Sequence, residues 1–321
     1  MAAHRLIEHG FAEPAAPESA ARPTPALGSL FHTPAFFRLH AAAHGGRASY
    51  FQWAKDERVV ATIHFTAMDD DLWRSPARGT FAGYAWEPDL RQEDMFSFHD
   101  AVEARLAAQG ARKIEVVPAP MAHDPVGFTN QLYLLRVRGY EMNTCDLNQS
   151  LEVSQAPMSQ RVSYGSVKCL RKCEREGLVT EQLPAGALGE VYETLEANRA
   201  GKGLSMSMTL AQLQTMAELF PSAMALFGCR DAGRLAAAAV CLRISPSVLY
   251  VLYWGDRPGY SSLSPVVPVA EAIYRYAQSL GVTLLDAGIS TVDRYVDFGL
   301  IRFKRGLGFT ESLKVSMTKT L

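Results

Sequence analysis

The segment from Leu284 to Val315, LLDAGISTVDRYVDFGLIRFKRGLGFTESLKV, carries residue types that could do chemistry. Asp286 stands near the end of an apolar run that is typical of a buried strand. Phe303 and Lys304 stand one turn before the end of an amphipathic run that is typical of a helix. A carboxylate can accept a proton, and a positioned ammonium can stabilise a developing oxyanion. The segment therefore predicts acid–base or electrostatic catalysis by Asp286 and Lys304.

Both residues also have an interpretation that needs no function. Lys304 can be a solvated side chain that the helix dipole favours near a helix C-terminus. Asp286 can be an acid that caps the turn after its strand. Ser290 and Thr291 share that turn and are further candidates for binding a substrate.

Common catalytic signatures are absent from the sequence. It has no G-x-x-x-x-G-K-[ST] phosphate loop, no G-x-S-x-G elbow and no H-E-x-x-H pair. All eight histidines precede residue 124. Cys169 and Cys173 are either a redox or metal pair or two small buried apolar residues, and the odd total of five cysteines favours the second interpretation. We therefore expect no metal, no covalent intermediate and no tightly bound cofactor.

The composition is typical of a globular protein, with 48% hydrophobic and 20% charged residues and a net charge of −1. This charge argues against bulk electrostatic binding, although residues 151–321 hold 18 Lys and Arg against 15 Asp and Glu. The first residues, MAAHRLIEHG, lack the apolar core of a secretory signal, and no apolar run has the length of a membrane span. These features predict a cytoplasmic protein.

The chain repeats itself. Gly110 corresponds to Gly281 and Gly139 to Gly308, at offsets of 171 and 169 residues, and each glycine ends a helical pattern that is followed by an apolar strand. Upstream of each copy, two apolar runs around a polar turn predict a hairpin. Each half therefore predicts a hairpin, a strand, a helix, a strand, a helix and a final strand. The predicted fold class is α/β (α+β), with two tandem domains that each have a mixed, mostly antiparallel sheet flanked by helices.

The repeat divides the chain into three parts. Residues 1–28 are an Ala/Pro-rich N-terminal arm, residues 29–152 the N-terminal domain and residues 153–321 the C-terminal domain. A basic helix over residues 161–177 leads into the second domain.

This order of elements resembles the GNAT acyltransferase fold. Two such units in tandem, with a basic KCLRKCEREG helix leading the second, are similar to the Fem-type transferases, which pass amino acids from aminoacyl-tRNA to peptidoglycan precursors. The pattern LLDAGIST…GLIRFKRGLGF is similar to the acid, Phe-Lys and Gly-aromatic ending of that family. The resemblance covers residues 29–321 in architecture, and residues 161–177 and 284–310 in motif.

The resemblance implies roles for Phe303 and Lys304. The family's Lys is thought to stabilise the oxyanion that forms when an amine attacks an acyl ester, with the Phe beside the acyl group. In the first copy the corresponding pair is Leu134-Leu135. This difference favours an active site in the second domain and an acceptor-binding role for the first.

The donor stays open between acyl-CoA and aminoacyl-tRNA. GNAT proteins that use acetyl-CoA carry Q/R-x-x-G-x-G/A after the central strand, where helix N-terminal amides hold the pyrophosphate. This chain has WGDRPGYSSLSPVVP instead, and Pro265 and Pro268 remove two amide donors. We expect the loop Asp256–Ser264 to offer no run of free amides, which disfavours acetyl-CoA.

Other residues are candidates for the groove and the acceptor site. Tyr253, a catalytic candidate, and Trp254 end the strand that lines the acyl groove in GNAT proteins, and Arg257 follows in the loop. Arg199 precedes a Gly-rich loop that we interpret as a wall of the acceptor site. The basic helix is either a solvated face or a contact for tRNA phosphates.

These features predict direct acyl or aminoacyl transfer, as in N-acetyltransferases, to the amine of a small molecule or peptide. The alternative is a GNAT-fold binding module that has lost transferase activity, which a narrow cleft with no room beside Lys304 would favour. The acceptor, the pathway and the oligomeric state stay open.

Overall fold

The computed structural model describes residues 4–11, 27–77, 81–292 and 295–321. Most of the Ala/Pro-rich arm, residues 12–26, lies outside these ranges. The helices within them are α1 (Pro34–Ala41), α2 (Gln92–Ala108), α3 (Pro125–Val137), α4 (Tyr164–Arg175), α5 (Leu188–Ala200), α6 (Leu210–Leu219), α7 (Val266–Ser279) and α8 (Phe298–Gly306). The strands are β1 (His4–Gly10), β2 (Ala48–Lys55), β3 (Arg58–Ala67), β4 (Leu72–Ser75), β5 (Ala85–Trp86), β6 (Lys113–Val116), β7 (Glu141–Glu152), β8 (Val179–Leu183), β9 (Met224–Asp231), β10 (Arg234–Arg243), β11 (Val248–Asp256), β12 (Leu284–Ile289), β13 (Thr291–Val292), β14 (Tyr295–Val296) and β15 (Thr310–Thr320).

The chain forms two compact units. The first comprises Met1–Asp146 and Leu313–Leu321, and the second comprises Leu147–Ser312. The C-terminal segment belongs to the first unit because the end of β15 pairs antiparallel with β6, with Met317 opposite Val116.

The first unit is built on strands ordered β1-β2-β3-β4-β6-β15, with β5 also paired to β3. β4 and β6 are parallel, and the other neighbouring pairs are antiparallel. Phe98 and Leu106 of α2 and Leu135 of α3 lie in one apolar cluster with Ile63 of β3. The repeat did not predict β1, in which His4–Gly10 pairs with β2.

The second unit is built on strands ordered β7-β12-β11-β10-β9-β8. β11 and β12 are parallel and pair over Val248–Tyr250 and Leu284–Asp286, so the rest of β11 lies beyond this ladder. Successive residues of β10 belong to different clusters: Ala239 packs on the side of α7, and Val240 packs on the side of α5 and α6. Because both faces of β10 are covered, its sequence is a continuous apolar run.

The predicted repeat is present in the element order. α2, β6, α3 and β7 in the first half correspond to α7, β12, α8 and β15 in the second. Each of the four helices is followed by a glycine with positive φ: Gly110 (89°), Gly139 (85°), Gly281 (66°) and Gly308 (86°). All four have the two hydrogen bonds of a Schellman motif, such as those from Gly308 N–H to Arg305 O and from Phe309 N–H to Lys304 O. The mixed α/β fold class is confirmed.

The space beside these glycines differs, and this predicts different mutational effects. A Cβ at Gly308 would lie 3.0 Å from the carbonyl oxygen of Arg161, whereas one at Gly281 would meet nothing within 4 Å. We expect Gly281→Ala to lower the free energy of unfolding by about 1 kcal/mol, the cost of a left-handed non-glycine residue, and Gly308→Ala by about 3 kcal/mol. Urea unfolding of both variants measures the difference. Equal losses of stability in the two variants would mean that the backbone at Arg161 moves away from the added methyl group at no measurable cost.

Candidate active site

The site centres on a bulge in β12, defined here as Asp286–Ile289. Asp286 is opposite Ser150 of β7, but Ile289 is opposite Asn148, so three steps along β12 match two along β7. Gly288, inside the bulge, has a φ of +71°. Bulges of this kind reorient backbone groups next to functional sites. Here the carbonyl oxygens of Gly288 and Ile289 both face a side chain of α8.

That side chain is Lys304, which is 1% exposed. Its Nζ donates hydrogen bonds of 2.9 Å to the carbonyl oxygens of Gly288 and Ile289. α8 begins after Asp297, whose side chain accepts the Leu300 N–H, and the helical period then places Ile301 and Lys304 on the buried face. Lys304 is therefore not a solvated lysine at a helix terminus.

Burial lowers the pKa of Lys304 from 10.5 to about 8, against the opposing charges of Asp286 and Asp297. Since an unfolded lysine keeps its ordinary pKa, the unfolded state binds this proton more tightly. The buried charge of Lys304 therefore lowers the free energy of unfolding by its full amount below pH 8. This destabilisation disappears as the pH rises from about 8 to 10.5. At about 1.4 kcal/mol per pKa unit, holding this cation near neutral pH costs on the order of 3 kcal/mol. A buried charge that lowers stability is typical of functional sites.

Asp286 lies fully buried beside the bulge. Its Oδ1 accepts hydrogen bonds from the Asn148 side-chain amide, at 2.9 Å, and from the Gly288 N–H, at 2.7 Å. The second bond caps the turn, as the structural interpretation of this acid expects. The same carboxylate also supports the charge of Lys304.

Ser290 and Thr291 follow the bulge directly. The Ser290 hydroxyl donates to Gln149 Oε1 at 2.6 Å, and the Ser290 carbonyl accepts the Asp297 N–H at 3.1 Å. Thr291 pairs with Val296 in the small β13–β14 hairpin. The hydroxyl of Ser290 is thus engaged within the protein, next to the Lys304 site.

Sequence reasoning missed two residues of this site, Asn148 and Gln149. Both are buried on β7, with exposures of 1% and 0%. The signal that could have found them is a run of polar residues, Asn148-Gln149-Ser150, inside a strand. Buried polar side chains need hydrogen-bond partners, so such a run predicts a polar network.

Phe303 and Trp254 lie together, as two walls of the predicted groove would. Their ring centroids are 5.7 Å apart at an interplanar angle of 69°, and Trp254 also meets Phe309 at 6.0 Å. Trp254 belongs to the part of β11 beyond its pairing with β12. The aromatic group therefore borders the region where these two strands separate.

Tyr253 lies apart from Lys304. Because side chains alternate along a strand, Tyr253 points to the face opposite Trp254 and packs in the cluster that contains Leu195 and Leu213. Its hydroxyl forms a short hydrogen bond with Ser207. Of the two catalytic candidates Asp286 and Tyr253, the one whose charge acts on Lys304 is therefore Asp286, and Tyr253 is a core residue.

Arg199 and Arg257 lie near Tyr253. The Arg199 guanidinium is 5.4 Å from the centre of the Tyr253 ring. Arg257 donates to Thr194 Oγ1 at 2.9 Å and to the carbonyl oxygen of Leu235 at 3.2 Å. Arg257 therefore ties its loop to α5 and β10.

Several backbone amides of the loop Asp256–Ser264 are hydrogen-bonded within the protein. The N–H of Arg257 donates to Ala236, that of Tyr260 donates to Arg257, and that of Ser264 donates to Tyr260. Burial raises the pKa of the Asp256 carboxyl, at the start of the loop, to about 6, so near neutral pH it is mostly an anion. These amides are therefore engaged, and a carboxylate lies at the start of the loop.

Helix α4 has one basic face, defined here as Lys168, Arg171 and Arg175, all of them exposed. Their spacing of three and four residues places them on one side of the helix. Tyr164, 72% exposed, extends this side, with the Lys168 ammonium 4.6 Å from its ring centre.

The opposite side of α4 carries Cys173, which is buried. Burial raises the pKa of the Cys173 thiol to about 11, so it stays protonated, as expected of an apolar residue. Among the residues that the structure describes, no group of three or more His, Cys, Asp or Glu side chains is placed to hold a metal ion. No helix within the described ranges is long and apolar enough to span a membrane.

No protein-family model matches this sequence, and a search of curated proteins found no match. The chain is similar to the crystal structure of FemX, with a TM-score of 0.72 and 13% identity over 93% of this chain and 94% of that one. It is also similar to L-PGS from Bacillus licheniformis (TM-score 0.57, 11% identity, 91% and 87% covered). A tandem GNAT protein from the clavulanic acid biosynthesis pathway gives a TM-score of 0.53 and 14% identity over 99% and 98% of the two chains. The chain therefore has the tandem GNAT-like, Fem-type fold.

Proposed function

We propose that this protein transfers an acyl or aminoacyl group from an activated ester to an amine, by direct attack and with Lys304 as the electrostatic catalyst. The observation that carries the proposal is a buried ammonium with two of its three N–H groups on carbonyl oxygens. Such an ammonium is preorganised, because it needs no reorientation as charge develops.

The reaction balances without a covalent enzyme intermediate. The neutral amine attacks the ester carbonyl carbon, a C–N bond forms, and the carbonyl oxygen becomes an oxyanion. The third N–H of Lys304 is the donor for this oxyanion. The C–O bond to the leaving group then breaks, and the leaving alcohol takes up the proton that the amine loses. Phe303 and Trp254 shape the acyl side of the site.

We propose an RNA-borne ester as the donor, rather than acyl-CoA. Two features support this choice: the loop Asp256–Ser264 has engaged amides and an adjacent carboxylate, and the basic face of α4 suits phosphates. We also propose that the N-terminal domain, residues 29–152, binds the acceptor amine, of a small molecule or a peptide. Leu134 and Leu135, which replace Phe303 and Lys304 there, are buried apolar residues and offer no charge.

The second candidate function is a GNAT-fold binding module without activity. The observation in its favour is the 1% exposure of Lys304, whose hydrogen bonds go to its own protein. In that case Lys304 ties α8 to the β12 bulge and does no chemistry.

Binding and transfer assays test the proposal. We expect aminoacyl-tRNA to raise the thermal unfolding midpoint and acetyl-CoA to leave it unchanged, because only a ligand of the native state stabilises it. Lys168→Gln/Arg171→Gln/Arg175→Gln should weaken the Kd for tRNA by about tenfold or more and flatten its salt dependence by about one unit of slope per lost phosphate contact. A mass-spectrometric assay then follows amide formation with a panel of amino acids and short peptides.

The matched control removes three exposed cations elsewhere: Lys55→Gln/Arg234→Gln/Arg275→Gln. Equal weakening by both triple variants would contradict the α4 contact. A midpoint increase with acetyl-CoA would contradict the proposed donor. Binding of tRNA without any amide product would favour the non-catalytic module.

A further inference from the structure

Two neighbouring amide side chains of β7 hold the β12 bulge from opposite sides. Asn148 donates to Asp286 Oδ1 at 2.9 Å, at the start of the bulge. Gln149 accepts from the Ser290 hydroxyl at 2.6 Å, just after it. Because successive side chains of a strand point to opposite faces, the two amides act on different partners. Between these two attachments lie the two carbonyl groups that receive Lys304.

We propose that Asn148 is a positioning residue for Lys304: it holds the Asp286 carboxylate, which also binds the Gly288 N–H of the bulge, so that its charge keeps Lys304 an ammonium when substrate is bound. This inference rests on the proposed function, because it concerns the catalytic charge of that site. Asn148 itself does not touch the reacting atoms.

The geometry supports this role in two steps. Asp286 Oδ1 accepts two hydrogen bonds, from Asn148 and from the Gly288 N–H, and both favour the ionised carboxylate. The ionised carboxylate then favours the ammonium form of Lys304, against the burial that disfavours it. Loss of the Asn148 amide therefore weakens Asp286 as an anion and brings the deprotonation of Lys304 to lower pH.

The other charges near Lys304 do not replace Asp286. Asp297 also favours the ammonium, but its Oδ1 accepts the Leu300 N–H at the start of α8. Glu311, a further acid among the residues that the structure describes, pairs with Arg305 and accepts a bond from Gln149. It is not among the groups whose charge acts on Lys304. Gln149 provides the comparison: it is a buried amide on the same strand that holds the same bulge through Ser290 and bonds the Ile301 carbonyl of α8.

The experiment is an NMR titration of the Lys304 side chain in protein labelled with isotopic lysine, without any substrate. The Lys304 signal is assigned by its absence in Lys304→Met. We expect the midpoint to fall by about one pH unit or more in Asp286→Asn, the effect of losing a nearby opposite charge, and by about half as much in Asn148→Leu. Gln149→Leu should move the midpoint less than Asn148→Leu does, because it loosens the bulge but removes no bond that the structure shows to the Asp286 carboxylate. Asn148→Ala serves in place of Asn148→Leu if the leucine variant does not fold.

A merely structural role for Asn148 would lower stability in both leucine variants and move neither titration. An unchanged midpoint in Asn148→Leu, or equal displacement in Gln149→Leu, overturns the inference. Where transfer is assayed, the alkaline limb of kcat should move to lower pH in Asn148→Leu more than in Gln149→Leu. Full activity of Lys304→Met would instead refute the proposed function. The titration uses no substrate and would still stand, so failure of the proposed function and failure of this inference can be told apart.

Discussion

Lys304→Met should lower kcat for transfer by on the order of a hundredfold, comparable with the loss of one oxyanion-hole donor. The KM of the acceptor should change much less, because the contact strengthens only as charge develops on the carbonyl oxygen. The measurement is steady-state kinetics with the donor and acceptor that the transfer assay identifies. Turnover at the parent rate would exclude Lys304 from the mechanism. It would favour a structural role in which Lys304 joins α8 to the β12 bulge.

Arg305→Met provides the matched control for this prediction. Arg305 is the next residue of α8, and its partner is Glu311, in an ion pair near the surface. Such pairs contribute little to stability, so Arg305→Met should keep the parent kcat. Lys304→Met should also stay folded. The Gly288 and Ile289 carbonyls lose their hydrogen-bond donor, but the removal of a costly buried charge offsets this loss. Circular dichroism and urea unfolding check that lost activity is not lost structure.

Acidification from pH 6.5 to about 4 should lower the free energy of unfolding by several kcal/mol, because two buried histidines of the first unit resist protonation. Burial lowers the pKa of both His32 and His64 to about 4, and the charge of His64 further lowers that of His32. Above pH 6.5 the folded and unfolded forms are both neutral. As the pH falls, the unfolded chain gains protons first, so stability is lost between 6.5 and about 4 and is level below that range. Each histidine accounts for at most about 3 kcal/mol.

The hydrogen bonds explain why His64 stays neutral. Its Nε2 donates to the Phe31 carbonyl oxygen at 2.8 Å. Its Nδ1 is buried and has no hydrogen-bond partner among the described residues, so a second proton there would have no acceptor. His64→Gln keeps a side-chain donor but cannot titrate in this range. On acidification, the free energy of unfolding of His64→Gln should therefore fall by about 2–3 kcal/mol less than that of the parent. Urea unfolding at several pH values measures the difference.

The comparison variant is His123→Gln, at a histidine that is only partly buried. It tests whether removing another histidine of the first unit has the same effect as removing His64. If His64→Gln follows the pH dependence of the parent, the acid sensitivity arises elsewhere, such as in the carboxylates of the ion pairs.

The local order of elements could be read from the sequence because its signals are local. A helix that ends at a glycine in the left-handed conformation needs only neighbouring residues, and Gly110, Gly139, Gly281 and Gly308 all behave in this way. The two apolar runs around a polar turn likewise predicted a hairpin, which β9 and β10 form. The same local patterns identified Phe303, Lys304 and Asp286 as candidates, although not their environment.

Tertiary structure alone decided how these candidates are arranged. The β12 bulge depends on the register between Asp286 and Ser150, and no local pattern specifies a pairing between strands so distant in sequence. The burial of Lys304 depends on carbonyl groups that this bulge presents, and the Asp286 carboxylate is bound by Asn148 from another strand. Tyr253 and Trp254 could not be assigned to faces until β11 was placed between helices on both sides. A charged side chain is buried only where distant parts of the chain supply its partners, and those partners are fixed by folding rather than by neighbours in sequence.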